Sequence, residues 1–76
     1  MILDIIVLKS DDGFTAEIPS LKGCETWHAD EEILLTEIIS LAKYYLNLAD
    51  DSKVKIDKAS VKNNQSHYKL IIDKNL

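Results

Sequence analysis

Glycine and proline are scarce in this chain: two glycines and one proline among 76 residues. A loop that cradles phosphate needs clustered glycines, and Gly13 and Gly23 stand far apart, so that chemistry has no support. The single cysteine, Cys24, excludes a disulfide framework and a zinc site built on cysteine. The apolar run Ile2–Leu8 is far shorter than the roughly 20 residues a membrane helix requires, and Asp4 interrupts it. With no secretory pattern either, the sequence predicts a cytoplasmic protein with no membrane association. A chain this short forms one domain, residues 1–76, with one modest core.

Charge is present in both signs but divided along the chain. The net charge is −4. Residues 1–51 carry eleven acids against three lysines, and residues 52–76 carry six lysines against two aspartates. The acidic body repels nucleic-acid phosphate and favours a basic protein partner. The basic end, six lysines without arginine spread over two strands, makes a poor stripe for nucleic acid, so direct DNA binding is not expected.

Alternation and β-branching predict a first strand over Ile2–Leu8. Leu3, Ile5 and Val7 lie on one side and Ile6 and Leu8 on the other, so the strand reads as central or covered on both faces. Ser10-Asp11-Asp12-Gly13 reads as a turn. Phe14, Ala16 and Ile18 then point inward, with Thr15 and Glu17 outward. Pro19 cannot donate to a ladder and ends the second strand. A third run, Cys24–His28, alternates again, with Glu25 and Trp27 outward beside Glu17 and Thr15.

A helix is predicted from Asp30 to about Leu48. Asp30 has the side chain of an N-cap, and Glu31 and Glu32 complement the positive end of the helix dipole. Thr36, Ser40, Lys43 and Asn47 form a narrow polar stripe. The apolar arc opposite spans roughly 180°, wider than one sheet needs. Either the C-terminal segment or another chain covers the excess; Ile39, Tyr45 and Leu46 are the candidate residues for an interface between copies. Two more strand-like runs follow, Val54–Val61 and His67–Asp73, with a turn at Asn63-Asn64. The predicted class is α+β: a three-stranded antiparallel meander, one long helix packed on it, then one or two further strands.

Catalytic readings fail on spacing. Cys24 and His28, four residues along an extended strand, lie about 13 Å apart and cannot pair directly within it. Cys24 reads as a small core residue. Neither His28 nor His67 has an acidic neighbourhood resembling a zinc site. Consecutive Asp30, Glu31 and Glu32 point in different directions and do not form a magnesium site. The sequence therefore predicts no enzyme, no metal and no cofactor.

Gly13, Phe14, Ala16, Pro19, Leu21, Gly23, Cys24 and Thr26 fit the pattern G-[FY]-x-A-x-x-P-x-L-x-G-C-x-[TS]. In this, residues 2–48 resemble the HicB-like antitoxin family. Asp30 stands where that family usually has a capping threonine, and His28 where it usually has a glycine. Ile33 and Leu34 replace a Glu-Ala pair. The resemblance implies a β-β-β-α-β core described as a partial ribonuclease H-like fold. It also implies a partner, a small basic toxin with a double-stranded-RNA-binding fold that cuts messenger RNA and is neutralised on binding. Asp11, Asp12, Glu17, Glu25 and Trp27 are the candidate contacts. The helix-turn-helix or ribbon-helix-helix that such antitoxins often add has no counterpart in these residues, so operator binding is not carried over. The alternative is an orphan module that associates only with itself.

Overall fold

The computed structural model describes residues 1–72. Five strands and one helix follow in the order β1 (Ile2–Ser10), β2 (Gly13–Glu17), β3 (Glu25–His28), α1 (Glu31–Tyr45), β4 (Val54–Lys62) and β5 (Gln65–Ile72). All five strands join one antiparallel sheet in the spatial order β3-β2-β1-β5-β4. Asp73, the predicted end of the last strand, lies outside the described residues.

This arrangement corrects the predicted fold. A three-stranded meander carrying the helix, with strands appended after it on the HicB-like pattern, is not what forms. The domain is mostly β, and the strand that follows the helix does not join the meander. β4 lies at the far edge, and β5 inserts between it and β1, antiparallel to both. The cause is the two-residue Asn63-Asn64 loop. It folds β4 and β5 into a hairpin, with Asn63 at φ 56, and only the apolar β5 is fit for the interior of the sheet.

Register assigns the two faces. Ile5 opposes Tyr68, Leu3 opposes Leu70, Val7 opposes Ala16 and Ile56 opposes Leu70, so these side chains share the helix side. Ile5, Val7, Ala16, Ile18, Cys24, Tyr68, Leu70 and Ile72 are buried there against Leu34, Ile38 and Ala42 of the helix. Each fully buried Ile or Leu stabilises by about 1.5–3 kcal/mol. Phe14, predicted inward, packs half-buried at the margin. β1 is central, but among the described residues it is covered on one face only: Ile2 and Leu8 are exposed and Ile6 is half-buried.

Helix α1 is shorter than predicted. It starts where the sequence indicates: Ile33 N–H donates to Asp30 Oδ1 at 3.1 Å. It ends at Tyr45, three residues early, because Asn47 adopts φ 57. Leu48 N–H then donates to the Lys43 carbonyl at 2.8 Å and Asn47 N–H to the Tyr44 carbonyl at 3.1 Å. That pair is the Schellman closure, with asparagine in the left-handed position. The helix lies over β2 and β3. Leu35, Ile39, Leu41 and Leu46 pack against the core margin, as do Leu48, Val54 and Ile56 of the following segment. Ile33, Tyr44 and Tyr45 stay exposed.

Candidate protein-binding face

The sheet has one helix-covered face and one face with no element over it among the described residues. On the open face the register produces cross-strand rows. One row runs Trp27, Thr15, Leu8, Gln65, Lys62; the next runs Glu25, Glu17, Ile6, His67, Ser60. In these two rows the acids sit on the β2–β3 flank and a lysine on the β4 flank; Asp4, Lys69 and Asp57 form the row beyond them. A bulge decides the placement of that β4 lysine. Lys58 opposes Tyr68 but Ser60 opposes His67, leaving Ala59 unpaired. The extra residue turns Ser60 and Lys62 onto the open face.

Trp27 is 48% exposed, with His28 and Gly13 beside it. Its ring stacks on His28 with centroids 6.3 Å apart. Its other contact is Gly13, where a Cβ would stand 2.8 Å from both the indole and the His28 carbonyl. Gly13 has φ +152, so both space and backbone demand glycine there. His28 accepts the Asp30 N–H through Nδ1 at 2.9 Å and shapes the entry to the helix.

The predicted contact residues are thus gathered at one side. Glu17 and Glu25 are direct cross-strand partners, Trp27 is in the adjacent row, and Asp11 and Asp12 form the β1–β2 turn next to Gly13. Two like charges in register repel by a few tenths of a kcal/mol or more, an arrangement stabilised by any cation placed over them. The candidate interface residues on the helix are distributed differently: Tyr45 is exposed, whereas Ile39 and Leu46 are half-buried against the core.

A charge cluster in the middle of the face has no counterpart in the sequence reading. Asp4 Oδ1 accepts a hydrogen bond from Lys69 Nζ. His67 Nε2 approaches the same oxygen to 3.1 Å but off the line of a hydrogen bond, leaving Nε2 without a hydrogen-bond partner. The lysine hydrogen bond first, and the histidine second, hold the Asp4 carboxyl below its ordinary range. The one signal for this cluster was an aspartate within an apolar strand. Beside it, on the Leu8 row, a groove of about 870 Å³ opens between Leu8, Thr15, Ser60, Lys62, Gln65 and His67.

The helix side holds a second polar link. Tyr68 donates its hydroxyl to Glu31 Oε2 at 3.0 Å, and Lys58 Nζ lies 5.7 Å from the centre of its ring. Burial, then the Glu31 contact, pushes the phenol up to about 12. Burial also raises the Cys24 thiol, which keeps it protonated and unreactive. Among the described residues, no three His, Cys, Asp or Glu side chains are grouped to hold a metal ion. No helix of the described residues is long and apolar enough to cross a membrane.

No protein-family model, no curated protein and no solved structure matches this chain.

Proposed function

We propose that this chain is a non-catalytic, cytoplasmic binding protein of the HicB-like antitoxin kind, which covers a small basic mRNA-cleaving toxin through the β2–β3 flank of its open sheet face. One observation carries the reading: Trp27 stands half-exposed on a rigid seat beside the in-register acids Glu17 and Glu25. A rigid tryptophan ringed by unbalanced charge suits a hot spot for a cationic protein surface. The Asp11-Asp12 turn extends the same charge beyond the Trp27 row. Inhibition is steric and electrostatic, and no residue of this chain acts on RNA.

Co-expression with the short basic protein encoded beside it tests the reading. The chain should restore growth, and the purified chain should block that protein's mRNA cleavage. Trp27→Ala, and separately Glu17→Lys with Glu25→Lys, should weaken the complex tenfold or more. A chain that neither binds nor neutralises its neighbour ends the proposal.

A further inference from the structure

β1 is the third of five strands, so it runs down the midline of the open face. Its outward residues there include Ile2, Ile6 and Leu8, with Ile2 64% and Leu8 45% exposed. Acids flank this apolar midline on β2 and β3. Lys69 and Lys62 flank it on β5 and β4, where Lys55 and Asp57 also stand on this face as an ion pair. Two features break the plane. Trp27 projects on β3, and the groove beside Lys62 recedes between β1 and β4. Trp27 and Lys62, the latter at the groove's outer edge, lie in the row of Leu8, two strands from β1 on opposite sides.

We propose that this face binds a second copy of the chain across a twofold axis running along β1. Rotation about that axis keeps each row at its own height and exchanges the flanks. β1 then faces β1, β2 faces β5 of the second copy, and β3 faces its β4. The Leu8 row brings Trp27 over Lys62 of the second copy, at the groove, and sets Leu8 on Leu8. The next row sets Glu17 over His67 and Ile6 on Ile6. Trp27 meets Lys62 and Glu17 meets His67 twice, once on each side of the axis, which is the self-complementarity a twofold interface requires. An ammonium over an indole face is itself attractive. Asp4 meets Asp4 at the axis, each already paired with its own Lys69. The product is a two-sheet sandwich about 10 Å between sheets, with a helix on each outer side.

The face also has sufficient area. Five strands about 4.8 Å apart and about 20 Å long give two faces that together bury about 1,000 Å². That is about the lower limit for a specific interface, so a weak, reversible dimer is expected. This pairing does not depend on the antitoxin reading, and because both bury Trp27 and Glu17, a second copy and a basic partner exclude each other on this face. Lys62 lies outside the acidic flank, so Lys62→Glu separates the two: it weakens the pair and leaves binding of a basic partner intact.

Sedimentation of the chain alone, from micromolar to near-millimolar concentration, is the test. The expected result is a concentration-dependent dimer. Trp27→Ala should shift its dissociation constant upward tenfold or more with the circular dichroism unchanged, and Tyr44→Glu on the helix should leave it alone. Leu8→Cys, on the axis, should cross-link to itself with a short bismaleimide, whereas Tyr44→Cys should not; native Cys24 is buried and does not compete. A strict monomer throughout the range, or a dimer broken by Tyr44→Glu and not by Trp27→Ala, overturns the proposal.

Discussion

The hydroxyl of Tyr68 on β5 and the carboxylate of Glu31 in the first turn of α1 meet at 3.0 Å. This bond spans 37 residues of sequence and ties the C-terminal hairpin to the start of the helix. A buried donor bonded to a charged acceptor contributes about 1.5–3 kcal/mol. Tyr68→Phe should therefore lower unfolding free energy in urea by about that amount. The same bond has a pH signature. With the folded phenol at about 12 and its ordinary value 10.0, the folded state holds its proton longer than the unfolded one. Stability should be intact below pH 10 and fall between pH 10 and about 12. In Tyr68→Phe, that alkaline decline should be reduced.

Gly13 is the seat of Trp27, and any side chain there meets the His28 carbonyl at 2.8 Å. Gly13→Ala adds this collision to an unfavourable φ, for a loss of about 1–3 kcal/mol. Tryptophan fluorescence should shift as the indole is lifted. An alanine variant with native stability and an unmoved spectrum would show that the β1–β2 turn relaxes around the methyl group.

Asp4 is held in its charged form by Lys69 and His67. A carboxyl lowered in the folded state contributes stability above its unfolded value, near 3.8, and loses it as pH falls through the lower folded value. Asp4→Asn should flatten this acid limb while changing thermal stability little at pH 7, because the pair is half-exposed and screened. High salt should shrink the difference between the two proteins. A salt-independent loss at neutral pH would point instead to packing of the Asp4 side chain.

Local features of this fold are legible in the residues, and long-range ones are not. Alternation reads Ala16 and Ile18 as inward and groups Leu3, Ile5 and Val7 on one face of β1 and Tyr68, Leu70 and Ile72 on one face of β5, because side-chain direction in a strand depends only on parity; which face of β1 and β5 turns to the helix it does not say. Asp30 announces the helix start through its own hydrogen-bond chemistry. The helix end is hidden. Leu46 and Leu48 continue the apolar pattern, and nothing in the composition shows that Asn47 takes a left-handed conformation between them. The position of β5 beside β1 is equally hidden, since it rests on pairing between residues such as Ile2 and Ile71. The Asp4 cluster depends on that pairing. So does the groove, which also needs the unpaired Ala59. Of the candidate contacts, Glu17, Glu25 and Trp27 fall together because they belong to one local hairpin, where parity alone suffices.

The central place of β1 also shapes how the chain is made. Its β2 side can zip as soon as residues 13–17 leave the ribosome, but its other side waits for residues 65–72. Until then β1 is an open edge whose backbone N–H and C=O groups on the β5 side are unpaired, the condition in which nascent chains stick to one another. Completing the sheet is therefore a late event in synthesis, and anything that slows translation through the lysine-rich β4 prolongs the chain's most adhesive stage.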